Sequence, residues 1–375
     1  FSFEPITLNI ILPVGISFYT FQTLSYSIDV YKRKIEATKN IVAFFSFVSF
    51  FPQLVAGPIE RATNLLPQFY SKRKFEYTQA VDGLRQVLWG LFKKVVIADN
   101  CAKFANEIFN NYGDYSGLTL LIGAMFFAFQ IYGDFSGYSD IAIGTSRLFG
   151  FNLKQNFCFP YFSRNIAEFW QRWHISLSSW FRDYLYIPLG GSRGGNWLKI
   201  RNTFIIFIVS GFWHGANWTF VAWGAINAIL FLPLFLRNKN RFFLDIVAKD
   251  RSFPSLKEFF NMVSTFCLTT FCWVIFRSDS LQDALNFFCR VFTDSFFHMP
   301  FLIERETGLS ILPKKIFILL SVFLLIEWVG RSGQHALQNI SQKNNPFFRY
   351  AIYYLLIVTI LWFGNEKQEF IYFQF

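Results

Sequence analysis

Residues 202–236, NTFIIFIVSGFWHGANWTFVAWGAINAILFLPLFL, decide the fold. Basic clusters flank this apolar run at both ends, Lys199 with Arg201 and Arg237 with Arg241. Because lysine and arginine accumulate in cytoplasmic loops, both ends are predicted to face the cytoplasm, which requires two membrane crossings. Two full spans need roughly 40 residues, but this run has 35. The bilayer is therefore predicted to be thin here, or the helices short, with His214 near the turn of the hairpin.

The composition of the whole chain also indicates a membrane protein. Charged residues make up 16% and apolar residues 53% of 375 residues, against about 25% and 45–50% in soluble domains. A soluble fold could not cover so much apolar surface. The net charge of +11 does not indicate nucleic acid binding, because the basic residues stand in short clusters between apolar runs, as cytoplasmic loops require.

Further hydrophobic segments predict an all-α, polytopic membrane protein. The run at 41–57 has basic residues on both sides, so it is predicted to enter the membrane and return on the same side. Lys93 and Lys94 make 81–98 a poor central span, and an interfacial or angled helix is expected there. The segments 237–258 and 278–315 are predicted to lie outside the membrane. The other spans are predicted at 6–26, 117–151, 256–276, 316–329 and 350–364.

A second histidine lies in the cytoplasmic segment between Lys154 and Arg201. Trp170, Trp173, His174, Leu177 and Phe181 follow helical spacing, so they are predicted to lie along one stripe of a helix. A structural role for His174 at the polar edge of an interfacial helix is as compatible with the sequence as a functional one.

His214 is the strongest candidate for chemistry. Burial among apolar side chains disfavours the charged imidazolium, so His214 is predicted to stay neutral and able to deprotonate a hydroxyl group. Attack of that hydroxyl on a thioester suits a single histidine, because thiolate leaves readily. If the helix continues, Asn217 lies on the same face and could donate to the oxyanion, as could Trp213. The alternative is a purely structural hydrogen bond from His214 to a neighbouring helix.

Four arginines are candidates for binding the phosphates of an acyl donor or of lipid head groups, because guanidinium pairs well with phosphate. The alternative for each is ordinary cytoplasmic charge. Asp134 and Asp140 could form a proton path, although structural hydrogen bonds are the simpler explanation. His298 and His335 show no partner pattern, and the histidines give no metal-ligand spacing, so no metal is predicted. The four arginines are Arg164, Arg172, Arg182 and Arg193.

Several motifs together resemble the membrane-bound O-acyltransferase superfamily, in its bacterial branch of alginate O-acetylation proteins and peptidoglycan O-acetyltransferases. The resemblance covers nearly the whole chain. The motifs are ILPVGISFYTFQTLSYSIDVY, FFPQLVAGPIER, YGDFSGYSDIAIG, FPYFSRNIAEFWQRWHISLSSWFRDYLYIPLGG, SGFWHGANWTFVAWG, CWVIFR and the closing FIYFQF.

The resemblance implies a single domain over residues 1–375, built as a ring of tilted and re-entrant transmembrane helices around a central tunnel. It implies that His214 is the catalytic histidine and that His174 is a second functional histidine at the cytoplasmic mouth. Relatives carry hydrophobic segments ahead of the region that matches Phe1, so this chain is expected to lack helices of the ring.

The resemblance also implies a function in the bacterial cytoplasmic membrane. The acyl donor is expected to be acetyl-coenzyme A or another acyl thioester, with no bound cofactor. The acceptor is expected to be an exported polysaccharide, peptidoglycan or an extracytoplasmic esterase-like protein of the SGNH type, with lipids as the surrounding partners. Two alternatives are transfer of another acyl group, such as D-alanine to teichoic acid, and a transporter or scaffold with structural histidines.

Overall fold

The computed structural model describes residues 15–297, 302–303, 310–311, 313–340, 345–364, 368 and 370–371. These residues form an all-α protein, as the composition predicted, apart from one antiparallel pair of two-residue strands, β1 Leu302–Ile303 and β2 Ser310–Ile311. The start of the span predicted at 6–26, His298 and most of the closing FIYFQF lie outside the described residues. The α-helices are α1 Ile16–Tyr31, α2 Ile41–Val48, α3 Ala62–Tyr70, α4 Tyr77–Leu91, α5 Asp99–Asn110, α6 Gly117–Leu148, α7 Ile166–Arg172, α8 Ile175–Phe181, α9 Asn196–His214, α10 Trp218–Leu236, α11 Leu256–Arg277, α12 Leu281–Val291, α13 Lys314–Gly330 and α14 Pro346–Phe363.

Four of these helices are long and apolar enough to cross a membrane, namely α6, α10, α11 and α14. The predicted re-entrant run at 41–57 contains only the eight-residue α2 and a 3₁₀ turn, Phe51–Gln53. Eight residues of helix rise about 12 Å, less than half of the roughly 30 Å hydrocarbon core. The described helices are thus consistent with a membrane protein in which some segments do not cross.

The 32-residue helix α6 is the centre of the fold, and its contact with α4 depends on glycine. A Cβ atom on Gly137 would lie 2.8 Å from the carbonyl oxygen of Gly90, and one on Gly90 would lie 2.6 Å from that of Gly137. Gly83 and Gly144 form a second pair of the same kind, at 2.6 and 2.4 Å. Without side chains between them, the two backbones touch directly, as small residues allow in membrane helices.

The lysine pair at 93 and 94 packs against the helix bundle, with Lys93 buried and Lys94 half-buried, and the interfacial or angled position of this helix remains a prediction. These lysines stand in a π-helical segment, Phe92–Ala98, that follows α4. Lys93 Nζ lies 2.5 Å from Asp140 Oδ2, and Lys94 Nζ lies 2.6 Å from Asp134 Oδ1. Both aspartates belong to α6 and neutralise the lysines, so the ammonium groups are tolerated between packed helices.

The hairpin of α9 and α10 has the predicted shape, with His214 as the last residue of α9 and a turn of three residues before Trp218. A Cβ atom on Gly211 would lie 2.2 Å from the carbonyl oxygen of Phe220, and one on Gly224 would lie 2.3 Å from that of Phe207. The small residues of this hairpin therefore serve close helix contact.

The helix predicted to carry Trp170, Trp173 and His174 on one stripe is broken at His174. Helix α7 ends at Arg172, and α8 begins at Ile175. His174 has φ 44° and ψ 53°, in the left-handed region. A left-handed residue interrupts the helical hydrogen bonds, and it costs about 1–2 kcal/mol for a residue with a side chain. Apolar periodicity does not report such a break, so the prediction of one continuous helix was wrong.

Candidate active site

One cavity of about 870 Å³ contains both histidines that the sequence singled out. Its wall includes His174, His214 and Trp213, and it extends to Asn238 and Arg241, which are exposed. His214 is therefore not sealed in the protein interior. A cavity of this volume is within the range of small-molecule sites.

His214 is half-buried at the C-terminal end of α9, among aromatic rings. The centre of its imidazole lies 5.1 Å from that of Phe276 and 5.5 Å from that of Trp223, both in edge-on geometry. Trp213 lies 4.7 Å away on its other side. The rings come from α9, α10 and α11, so the position of His214 depends on contacts among three helices.

His174 is buried, with 2% of its surface exposed, and lies on the same cavity wall. Its ring centre is 4.6 Å from that of Phe135 and 6.4 Å from that of Trp213. Trp213 therefore lies near both histidines, with ring centres 6.4 Å from that of His174 and 4.7 Å from that of His214. Within the described part of the chain, His174 Nδ1 lies 3.2 Å from Asn156 Oδ1, and His174 Nε2 has no hydrogen-bond partner.

Asn217 does not lie where the sequence placed it. The prediction required α9 to continue past His214, but the helix ends there and Asn217 becomes the N-cap of α10. Its Oδ1 accepts from the Thr219 amide at 3.1 Å, and its Nδ2 donates to the Asp279 carbonyl at 2.9 Å. Because both ends of the side chain have backbone partners, Asn217 caps a helix and is not among the residues that line the cavity.

The four candidate arginines separate into three groups. Arg164 and Arg172 both pair with Glu168, at 3.0 and 2.7 Å, and Arg164 also pairs with Asp245 at 2.9 Å. These contacts bind α7 to the segment at 237–258, and neither arginine is on the cavity wall. Arg182 is exposed and lines the cavity, whereas Arg193 is exposed but lies off the wall.

Two further cations line the cavity beside Arg182, namely Lys199 and Arg241. In the sequence, these two residues serve only as markers of the cytoplasmic side. Folding brings them together because the start of α9 and the end of α10 meet at the open end of the hairpin. The result is a cavity with a cationic mouth and an aromatic interior around His214.

Two properties of the cavity wall were not predicted from the sequence, namely a buried indole donor and a contribution from near the end of the described chain. Trp170 Nε1 is buried and has no hydrogen-bond partner among the described residues, so it is an unused donor on the wall. Ile371, near the end of the chain, is 1% exposed and also lines the cavity. Its backbone amide donates to Asp134 Oδ2 at 2.7 Å, which connects two residues 237 positions apart.

Comparison with known proteins agrees with this architecture. A family model described as MBOAT, membrane-bound O-acyltransferase family, matches residues 26–243, which is more than half of the chain. The chain belongs to the membrane-bound O-acyltransferase family. The match includes both histidines and most of the cavity wall, and family membership confirms the all-α membrane fold.

The relatives of this membrane-bound O-acyltransferase include named acyltransferases. A probable alginate O-acetylase AlgI of Pseudomonas aeruginosa is 42% identical over 78% of this chain and 54% of its own length. A peptidoglycan O-acetyltransferase of Helicobacter pylori is 38% identical over 75% of this chain and 56% of its own. A teichoic acid D-alanyltransferase of Streptococcus thermophilus is 30% identical over 65% of this chain and 61% of its own. The chain thus spans little more than half the length of these relatives.

Proposed function

We propose that this chain carries the active site of a membrane-bound O-acyltransferase. It moves an acetyl group from a thioester donor on the cytoplasmic side to a hydroxyl group of an exported polysaccharide or peptidoglycan. The observation that supports this most is the single cavity that contains His174, His214 and a cationic mouth. The relatives named alginate O-acetylase and peptidoglycan O-acetyltransferase favour acetyl transfer to a cell-envelope polymer.

In the proposed mechanism, His214 is the general base. Its neutral imidazole takes the proton of the acceptor hydroxyl as the hydroxyl oxygen attacks the thioester carbonyl carbon. The carbon–sulfur bond then breaks, and the thiolate leaves. The imidazolium returns the proton to that thiolate, so the products are an ester and a free thiol. Aromatic rings around His214 exclude water, which limits hydrolysis of the thioester.

The negative charge that develops on the carbonyl oxygen requires a hydrogen-bond donor. Trp213 remains a candidate because its ring lies near both histidines. Trp170 is a second candidate, since its indole N–H is buried on the cavity wall without a partner among the described residues. Asn217 is a weaker candidate than either, because its amide is already engaged at the helix cap.

The distance from mouth to histidine favours a donor with a long arm. Lys199 and His214 are both on α9, fifteen residues apart, which corresponds to about 22 Å of helix. A donor whose phosphates contact Arg182, Lys199 or Arg241 must therefore carry its acyl group on an extended chain. The pantetheine arm of acetyl-coenzyme A, or that of an acyl carrier protein, meets this requirement. Arg164 and Arg172 are less suited to this role, because they are paired with Glu168 away from the cavity wall, whereas Arg182, which pairs with Asp183 at 2.7 Å, lines the cavity.

The setting of the reaction is also part of the proposal. The enzyme works in the bacterial cytoplasmic membrane, with the cationic mouth of the cavity towards the cytoplasm, and the accumulation of basic residues on the cytoplasmic side of membrane proteins supports this orientation. An extracytoplasmic esterase-like protein of the SGNH type, or the polymer itself, receives the acetyl group.

The decisive experiment replaces His214 with Ala in membranes supplied with a labelled acyl thioester. Because no other base replaces the imidazole, transfer is expected to fall by at least about 100-fold, while the amount of inserted protein stays normal. Trp218→Ala is the matched control, because Trp218 is exposed at the same hairpin turn. Normal transfer by His214→Ala would instead favour a transporter or scaffold with a structural histidine.

A second candidate function is transfer of a D-alanyl group. The similarity to a teichoic acid D-alanyltransferase favours it, although the identity is lower, 30% against 38–42% for the acetylating relatives. Both reactions use the same base and the same thioester chemistry. Parallel assays with acetyl-coenzyme A and with a D-alanyl-loaded carrier protein distinguish the two functions, and we expect transfer from the acetyl donor.

A further inference from the structure

Asn156 is a fully buried residue that joins three parts of the structure around His174. Its Oδ1 accepts from the Ser176 hydroxyl at 2.9 Å and from the Ser176 amide at 3.3 Å, on α8. Its Nδ2 donates to the Ser139 hydroxyl on α6 at 3.1 Å. Because a backbone amide can only donate, the contact with Ser176 fixes which end of the Asn156 side chain is oxygen.

This arrangement determines which nitrogen of His174 carries the proton. His174 Nδ1 is 3.2 Å from Asn156 Oδ1, which is an acceptor and has no hydrogen to give. Nδ1 must therefore be the donor. A neutral imidazole has a single N–H, so Nε2 then carries a lone pair. Among the described residues, nothing donates a hydrogen bond to that lone pair.

The backbone around His174 supports the same conclusion. The amide of Ile175 donates to the Asn156 carbonyl at 2.9 Å, and the amide of Cys158 donates to the Arg172 carbonyl at 3.0 Å. These two bonds connect the segment before α7 to the residues on each side of His174. They hold His174 in its left-handed conformation, and such strained residues cluster at functional sites, where the surroundings maintain the strain.

We infer that Asn156 is a positioning residue that holds His174, a residue of the cavity wall, as the Nδ1–H tautomer, so that Nε2 carries the lone pair. In the proposed reaction, that lone pair accepts a hydrogen bond from the acceptor hydroxyl and orients it towards the thioester carbon. His214 remains the base that takes the proton. This inference rests on the proposed function for the role of the lone pair, whereas the tautomer itself follows from the geometry.

The first test is spectroscopic and needs no activity. Nitrogen-15 labelling of histidine gives signals from only four residues, and His174→Gln identifies the one that belongs to His174. In the unaltered protein we expect a protonated Nδ1 and an unprotonated Nε2.

Asn156→Leu removes the acceptor, so we expect a mixture of tautomers, while Gln155→Ala is expected to leave the signal unchanged. Gln155 is the matched control because its side chain donates to the Phe157 and Gln334 carbonyls. A protonated Nε2 in the unaltered protein overturns the inference, as does an unchanged tautomer in Asn156→Leu.

The second test is kinetic. We expect Asn156→Leu to lower kcat by about 10–100-fold, as the loss of a residue that orients a functional histidine does, with the KM for the donor unchanged. Asn156→Asp keeps the acceptor, and the Ser139 hydroxyl can rotate to donate to it, so activity is expected within a few-fold of normal. Full activity of a folded Asn156→Leu protein overturns the positioning role. A failure of the proposed function itself would give a different pair of results. His214→Ala would then transfer the acyl group normally, while the tautomer of His174 would remain as inferred.

Discussion

At the scale of single residues, the proposed donor site depends on the charges at the cavity mouth. Arg182, Lys199 and Arg241 all line the cavity, and Arg182 and Arg241 are exposed. Phosphate groups bind such cations through charge-assisted hydrogen bonds. Since exposed charges are screened by salt, donor affinity is expected to fall as ionic strength rises.

We expect replacement of each of these three residues by Gln to raise the KM for acetyl-coenzyme A roughly tenfold, because a hydrogen bond to a charged group contributes about 1.5 kcal/mol or more. The kcat should be retained, since no reacting atom is touched. Arg193→Gln is the control, because Arg193 is exposed nearby but lies off the cavity wall. Steady-state kinetics at two salt concentrations provide the measurement, and an equal KM in the control and in all three variants contradicts the assignment.

At the scale of elements, the contact between α4 and α6 depends on glycines, which have no side chain to separate the two backbones. A methyl group on Gly137 would lie 2.8 Å from the Gly90 carbonyl oxygen, which belongs to rigid helix backbone. We expect Gly137→Ala to destabilise the protein by about 1–3 kcal/mol, as forced overpacking does. Thermal unfolding in detergent measures the change. Gly113→Ala is the control, because a Cβ atom there meets nothing within 4 Å. Equal melting temperatures for the two variants would show that α4 and α6 can move apart to accommodate a methyl group without loss of stability.

The buried ion pairs between the π-helical segment and α6 belong to the same scale. Lys93 is 3% exposed and pairs with Asp140. Asp140→Asn removes the carboxylate that pairs with the buried ammonium, so we expect a loss of about 3–5 kcal/mol. The double variant Lys93→Met/Asp140→Asn should lose less than the sum of the single variants, because the two side chains pair directly. Arg251→Ala breaks an exposed pair with Glu258 and is expected to cost about 0–1 kcal/mol. Additive losses in the cycle contradict direct pairing.

At the scale of the whole molecule, the distribution of basic residues predicts the topology. Arg73 and Lys239 are both exposed, and the predicted re-entrant run and the predicted two-crossing hairpin together require them to lie on one side of the membrane. Single cysteines at these positions, in a background without the five native cysteines, are expected to react with a membrane-impermeant thiol reagent from the cytoplasmic side only. Labelling from opposite sides would refute the re-entrant run or the hairpin.

Distant parts of the chain also combine to form the cavity of the candidate active site. Ile371 contributes to the wall and is held by Asp134, which also pairs with Lys94. Asp134, which was a candidate for a proton path in the sequence, therefore pairs with Lys94 and accepts a hydrogen bond from the amide of Ile371. No local pattern around Asp134 indicates a partner 237 residues away.

Several features of the site could be predicted because they depend on neighbours in the sequence. Charge at both ends of 202–236 predicted a hairpin with His214 at its turn, and helical spacing grouped Trp170, Trp173 and His174, which all line the cavity. The family resemblance, carried by motifs around both histidines, is confirmed by the family match. The roles of the site residues remain proposals.

Other features could not be predicted, because they depend on the exact end of a helix or on a partner far along the chain. Asn217 caps α10 because α9 stops at His214, and a period of 3.6 residues does not show where a helix stops. Arg164 is neutralised by Glu168 and by Asp245 from another segment, whereas Lys199 and Arg241 remain at the cavity mouth. Composition cannot distinguish a paired cation from one that lines a cavity.

The sequence by itself determined that this is a membrane protein, that it is all-α and that an apolar hairpin carries His214. These properties depend on the length of the apolar runs and on the charges that flank them, which are local features of the chain. Only the tertiary structure decided that His174 and His214 share one cavity, and that Asn156 orients the first of them. The physical reason is that a side chain obtains its chemistry from the hydrogen bonds and charges that surround it. In this chain those partners come from helices that are far apart in sequence.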